Sequence, residues 1–397
     1  MIIESLKIKN FKVYQNAEVK DLPNLCVFLG ANGSGKSTLF DVFGFLSDAL
    51  KENVTKALDD RGGYAEVHSR DAQGDIEIEI KFRNKAKEPI VTYKLSVGLD
   101  KNNRPIVSQE ELSYRRGQWG RPYKFLNFQA GKGTAIINEE DFAKDKQDFE
   151  DKREEQELES PDILAIKGLG QFQRFKTISA FRRLLENWYV ADFTIAQTKN
   201  TSSKAVVAAH LSSDGDNLSQ VTKYMHDRYP EIFRIVLEKM RQRIPGINSV
   251  EAHKTTDNRI VLRFNDSHFK DPFLSQYVSD GTMKMFAYLI LLHDPDPHPL
   301  VCIEEPENYL HHELLPELAE ELRMYANKGG QVFVSSHAPD FVNALALDEV
   351  FWLVKTKGYT QIKRASDFAN IKALVDAGDK LGELWRQGYF EGSGVKY

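Results

Sequence analysis

The stretch "GANGSGKS" runs from Gly30 to Ser37 and follows the apolar run "LCVFL". It fits G-x-x-x-x-G-K-[ST], the pattern of a loop that cradles phosphate between a strand and a helix. The glycines let backbone N–H groups turn inward, and the N-terminus of the following helix adds partial positive charge. In this pattern Lys36 reaches the β- and γ-phosphates and the Ser37 hydroxyl takes Mg2+. The expected nucleotide-binding residues are Gly30, Asn32, Gly33, Ser34, Gly35, Lys36, Ser37 and Thr38.

A bound nucleoside triphosphate needs a metal partner and a group that activates water before it hydrolyses. "PLVCIEEPEN" (Pro299–Asn308) offers both. Leu300 to Ile303 read as a buried strand with two carboxylates at its C-terminal end, where open α/β sheets bind ligands. Glu304 is expected to hold the Mg2+ shell through water and Glu305 to polarise the attacking water. Two further stretches carry polar groups at element ends. "YVSDGTMKMFAYLILL" puts Ser279, Asp280, Gly281 and Thr282 at the start of a helix, and "FVSSHAPDFV" puts His337 just after an apolar run. Taken alone, the first suits an ordinary helix cap as well as an anion site.

These groups need a scaffold, and the patterning supplies one. "IIESLKIKNF" reads as an opening strand, and a helix follows from Gly35 to about Leu50. "DIEIEIKF" (Asp75–Phe82) and "VTYKLSVGL" (Val91–Leu99) alternate with period two and predict a half-exposed antiparallel pair; "RIVLRF" alternates likewise. "PLVCIEE" and "QVFVSSH" are continuous apolar runs, as in a buried parallel sheet. "EVFWLV" and "TQIKRA" predict a closing pair of strands. The charged run Glu139–Glu159 predicts a solvated helix or a disordered insert.

The totals set bounds. The chain has 397 residues, 41% hydrophobic and 28% charged, the mix of a soluble globular protein. Its longest apolar run, Met285–Leu292, is too short to span a bilayer. Cys26 and Cys302 support neither a disulfide framework nor a zinc spacing, so a reducing cytoplasm is the expected compartment. The net charge of −5 includes a local −7 in Glu139–Glu159, which leaves +2 elsewhere and neither supports nor excludes nucleic acid.

The order of phosphate loop, "SDGT" helix start, acidic pair and histidine resembles the SMC/RecF-like branch of ABC-type ATPases. The opening "IESLKIKNFKVY" and the segments "RGGYAEVHSR", "LGQFQRFKTISAFRRLLENWYVADF" and "LGELWRQGYF" resemble small bacterial RecF/OLD-like ATPases over nearly the whole chain. The resemblance implies an α/β P-loop NTPase with a mixed central sheet, an antiparallel β subdomain and a helical signature-motif lobe. Residues 1–270 would form one lobe and 271–397 the other, together one composite ATPase domain. Ser279, Asp280, Gly281 and Thr282 would be a signature motif acting in trans, with Asp280 where a glycine is usual. Glu307 and Asn308 would belong to the D-loop, and His337 would be the switch histidine. Gln171 would sense the metal and Lys12 would lie near the nucleotide. ATP and Mg2+ would be the ligands, and ATP would close two heads into a homodimer or higher homo-oligomer.

For biological role the resemblance implies two alternatives. One is a sensor-scaffold for a separate effector, such as a nuclease, in bacterial anti-phage defence. The other is an ATPase acting directly on DNA in repair. No nuclease domain is expected after the ATPase motifs. Arg115, Arg116, Arg121 and Lys124, near Trp119 and Tyr123, are the candidate DNA contacts.

Overall fold

A computed structural model describes residues 2–83, 88–114, 122–137, 152–193, 195–199 and 208–392. Arg115, Arg116, Trp119 and Arg121 lie outside the described residues, as do residues 139–151 of the charged run. The chain divides into two compact units. One comprises Met1–Trp188 with Leu347–Asp379 and Leu384–Tyr397; the other comprises Tyr189–Ala346 with Lys380–Glu383. The units interleave along the chain and do not follow a division at residue 270.

The first unit holds an eight-stranded sheet. In spatial order its strands are Tyr14–Lys20, Ile2–Phe11, Ile76–Arg83, Val91–Leu99, Pro105–Tyr114, Tyr123–Gln129, Lys132–Ile136 and Arg153–Glu157. The expected pair is antiparallel, with Ile78 opposite Leu95 and Ile80 opposite Tyr93. The two-residue period buries Ile76, Ile78, Ile80 and Phe82 and leaves the intervening Glu77, Glu79 and Lys81 only half-buried. Arg153–Glu157 corrects the reading of the charged run as helix or disorder: these residues form the outermost strand, paired with Lys132–Ile136. A short, charged outer strand resists pairing with other chains.

The same unit contains the short buried strand Leu25–Leu29, which pairs in parallel with Val350–Thr356, with Val27 opposite Val350. Val350–Thr356 pairs antiparallel with Tyr359–Arg364, the predicted closing pair. Helix Lys36–Lys51 buries Leu39, Phe40, Val42, Phe43, Phe45, Leu46, Ala49 and Leu50. Apolar residues on more than one side make it a core helix. Phe28 meets Phe40 edge-on at 6.3 Å and stacks obliquely on Phe351 at 5.4 Å, so the phosphate-loop strand and helix share one aromatic core. Truncating such a phenylalanine costs about 3–5 kcal/mol.

The second unit holds three parallel strands, Tyr189–Ala191, Leu300–Glu304 and Gln331–Ser336, with Leu300–Glu304 in the middle. It also holds a three-stranded antiparallel sheet of Ile247–Lys254, Ile260–Asp266 and Phe273–Leu274. Helix Asp280–Leu292 is buried all along from Thr282, and its apolar run Met285–Leu292 requires that burial. Among the described residues, no helix is long and apolar enough to cross a membrane.

Candidate active site

The phosphate loop lies between Leu29 and Lys36. Gly33 and Gly35 have φ of 77° and 105°, the left-handed region that glycine enters freely. A Cβ on Gly30 would fall 2.2 Å from Ser34 Oγ, and one on Gly35 would fall 2.9 Å from Val13. Gly35 is also the N-cap of helix Lys36–Lys51 and brings no side chain to cap it. A 16-residue helix that starts this way turns its N-terminal N–H groups and dipole toward an anion. Lys36 is buried, and its Nζ donates to the Gly30 carbonyl at 2.8 Å. Ser37 and Asn32 are exposed, and Thr38 is half-buried.

Two residues that the motifs do not mark hold this loop from behind. The Tyr14 hydroxyl donates to the Gly35 carbonyl at 2.9 Å, and Thr360 Oγ1 donates to the Ser34 carbonyl at 2.7 Å. The backbone N–H of Thr360 in turn donates to Val13 O at 2.9 Å. Tyr14 is fully buried, and burial pushes its phenol far above the ordinary value, so it stays a donor. These two hydrogen bonds fix the path of the loop into the helix. Thr360 stands 326 residues after Ser34, a separation no local pattern can flag.

Lys12 has φ of 49°, and its Nζ pairs with Asp41 at 2.6 Å, one helical turn past Ser37. Arg61 holds the other Asp41 oxygen at 2.7 Å. Lys12 therefore lies beside the first turns of the loop helix. Gln171 does not. Its amide turns back to Lys167 O at 3.3 Å, and Lys167 Nζ binds the Lys51 carbonyl at 2.8 Å. That tethers Gln171 toward the far end of a helix about 22 Å long from Lys36 to Lys51.

In the second unit the acidic pair ends a buried strand. Glu304 is opposite Ser335, and the Glu305 N–H donates to Ser335 O at 2.9 Å. Glu305 has φ of 41°, a strained setting for a non-glycine residue that costs on the order of 1–3 kcal/mol. Its carboxylate is bracketed: Asn308 Nδ2 donates to Oε2 at 3.1 Å, and His337 Nδ1 stands 3.4 Å from Oε1. Glu307 is buried and organises the histidine loop. Its Oε1 accepts the Ser336 hydroxyl at 2.8 Å and the His337 N–H at 2.9 Å.

The "SDGT" residues lie in the same unit. Ser279 is the exposed N-cap of helix Asp280–Leu292, and its Oγ accepts the Thr282 N–H at 3.2 Å. Asp280 pairs with Lys199 at 2.6 Å. A Cβ on Gly281 would fall 2.7 Å from Tyr309 O, so glycine lets the helix start approach the segment after Glu305. One turn on, buried Lys284 donates to Glu305 O at 3.4 Å and lies 5.7 Å from the ring centroids of Tyr288 and Tyr309. Burial lowers the Lys284 pKa to about 8, against the opposing pull of Glu307, Asp192 and Glu305. Sequence reasoning passed over Lys284, because a lysine inside an apolar run gives no motif.

The donors suit the expected ligands. In the first unit Ser37 offers an oxygen of the kind hard Mg2+ takes, and the two left-handed glycines with Lys36 suit a polyphosphate; in the second unit Glu304 offers a carboxylate oxygen.

This strand–loop–helix and strand-end carboxylate architecture defines a P-loop NTPase of the ABC/RecF type. Residues 25–343 match the family model described as "AAA domain, putative AbiEii toxin, Type IV TA system", and the chain belongs to that family. It is 30% identical over 145 residues to the DNA replication and repair protein RecF of Listeria monocytogenes, a match spanning 34% of this chain and 39% of RecF. RecF of Streptococcus thermophilus is 27% identical over 147 residues, 33% of this chain and 38% of the relative. The chain thus matches under half the length of these relatives. Its fold is that of SMC head domains. An SMC head bound to the C-winged helix domain of ScpA superposes with a TM-score of 0.58 at 14% identity, covering 91% of this chain and 98% of the other. An SMC head with an extended coiled coil, bound to the C-terminal domain of ScpA derived from Pyrococcus furiosus, gives 0.51 at 15% identity, covering 95% and 99%.

Proposed function

We infer that this protein binds and hydrolyses ATP with Mg2+ and works as a switch that two chains close together on ATP. The observation that carries this is the phosphate loop, with two left-handed glycines, Lys36 at the helix start, and Tyr14 and Thr360 holding its carbonyls back. Lys36 leaves the Gly30 carbonyl to meet the β- and γ-phosphates. Ser37 and, through water, Glu304 would hold Mg2+, which when bound would supply charge neutralisation at the phosphates. Glu305 takes the proton of the attacking water, and His337 holds that water in place. Glu307 fixes the histidine loop, and Asn308 and His337 keep the Glu305 carboxylate from rotating. Phosphoryl transfer is mostly positioning and charge stabilisation, so this bracket sets the rate.

Ser279 and the helix behind it act on the ATP of a second chain. The exposure of Ser279 supports this, since an N-cap serine at the surface can meet an anion from outside. The residues carrying the phosphate loop and those carrying the signature then work as one composite ATPase domain. Lys12 is taken by Asp41 and acts through the loop helix; Gln171 has the weaker claim to a ligand role.

The favoured role is a sensor-scaffold for a separate effector in anti-phage defence. The family description names a toxin of a toxin–antitoxin system, a setting of two protein components. The SMC head bound to part of ScpA is likewise a head that engages another protein. Direct action on DNA in repair is the second reading, favoured by the RecF relatives.

The test is ATP turnover per chain across a wide range of protein concentration, with light scattering on the same samples and Lys36→Ala as control. Turnover that rises as dimers appear supports the shared site. A fully active monomer would sink it. Lys36→Ala should bind ATP about ten- to a hundredfold more weakly, the worth of one charge-assisted hydrogen bond.

A further inference from the structure

The geometry points to a second site: His210, Asp294 and His298 form a seat for one divalent transition-metal ion of the zinc class. One ligand atom from each residue lies within 4.8 Å of the others. His210 Nδ1 stands 2.9 Å from Asp294 Oδ2. The Asp294 side chain is 4% exposed and that of His210 is 44% exposed, so the cluster is closed beneath and open to solvent above.

Each ligand is held in place by a neighbour. Asp294 Oδ1 accepts the Asp296 N–H at 2.9 Å, which leaves Oδ2 toward His210. Asn217 Nδ2 donates to His210 O at 2.9 Å, and its Oδ1 accepts the Ser212 N–H at 2.8 Å, fixing the chain that carries His210. The Tyr189 ring stacks on the His298 imidazole at 4.7 Å, and Tyr325 donates to His298 O at 2.7 Å. Pro295 and Pro297 stiffen the loop between the acid and its histidine.

The donor set decides the metal class. Two imidazole nitrogens and one carboxylate suit zinc and its neighbours and leave a fourth position for water, whereas Mg2+ prefers oxygen alone. With bonds of about 2.0–2.1 Å, tetrahedral donors sit about 3.3 Å apart. The widest pair must therefore close by at most about 1.5 Å, and His210 is the exposed member of the three. His298 precedes Leu300, whose strand ends at Glu304. The site is thus at the opposite end of that strand from the carboxylate pair, about 13 Å along it. Loading would tie the His210 segment to the Asp294–His298 loop without using the phosphate chemistry.

The test strips the full chain with a chelator and titrates Zn2+ in competition with a chromophoric chelator, with thermal melting in parallel. One Zn2+ per chain and a raised Tm are expected. His210→Ala and His298→Ala should each weaken binding at least about tenfold, and Lys36→Ala should leave it unchanged. If His298→Ala does not fold, His210→Ala and Asp294→Asn decide. Zinc bound equally by wild type and His210→Ala, no zinc bound by wild type, or zinc lost in Lys36→Ala but kept in His210→Ala would each overturn the assignment. In those cases the 2.9 Å contact is a His–Asp hydrogen bond alone.

Discussion

Glu307 and His337 meet twice through one oxygen: Glu307 Oε1 accepts the His337 backbone N–H at 2.9 Å and stands 3.3 Å from its Nδ1. The imidazole is thereby aimed between Glu307 and Glu305. The two glutamates should respond differently to substitution. Glu305→Gln should keep ATP binding, slow hydrolysis about 100- to 10,000-fold and accumulate the closed assembly, seen as a stable dimer by light scattering. Glu307→Ala should lower kcat less and leave KM nearly unchanged, and Glu307→Gln, which retains an acceptor oxygen, should recover most of that loss. Equal turnover in Glu305→Gln and wild type would remove Glu305 from the water-activating role.

Ser279 separates capping from anion binding. Ser279→Arg should abolish turnover and leave ATP binding intact. Ser279→Asp is the sharper variant: aspartate caps a helix as well as serine does, so Tm should hold within about 1 kcal/mol of stability. Its charge, however, would repel a partner's γ-phosphate. Loss of turnover with unchanged melting would support action in trans. Full activity in either variant would refute it.

Behind the phosphate loop, Thr360→Val keeps shape and removes the donor to Ser34 O. It should cost about 1–3 kcal/mol of stability, the price of a buried carbonyl left without its partner. ATP affinity should fall with it. Tyr14→Phe acts on the adjacent Gly35 carbonyl, so the double variant should be non-additive. Urea melts of the four proteins, paired with nucleotide titrations, measure both effects.

Glu110 gives the first unit a pH dependence. It is fully buried and accepts the Ala165 N–H, the Ile166 N–H at 3.2 Å and the Tyr93 hydroxyl at 3.0 Å. Burial raises its pKa from 4.5 to about 7, with these donors opposing. The folded state therefore holds a proton that the unfolded state releases between pH 4.5 and 7. Stability is full below this window, falls as pH rises through it and levels off above, by up to about 3 kcal/mol. Glu110→Gln should flatten this part of the profile. The same slope in both proteins, from urea melts at pH 5 and 8, would refute it.

Much of this was legible because it is local. Alternation at Ile76–Arg83 and Val91–Leu99, the continuous run Leu300–Glu304 and the glycines before Lys36 each need only neighbouring residues, and each formed the element predicted. The strand Arg153–Glu157 was hidden because its residues are nearly all charged, and only pairing with Lys132–Ile136 gives them order. Tyr14, Thr360 and Lys284 were missed for a different reason. Their roles depend on contacts made across long stretches of chain or inside an apolar run. Gln171 was singled out by the resemblance alone, and its amide donates to Lys167 O.

The pairing of Val27 with Val350 has a consequence for synthesis. The strand that launches the phosphate loop is made first, and its parallel neighbour and the threonine that braces the loop come more than 300 residues later. While those residues are being made, the nascent chain carries "GANGSGKS" without the neighbours that hold it. The braced form of the loop therefore arises only after residue 360 is made, and products interrupted before it lack that brace.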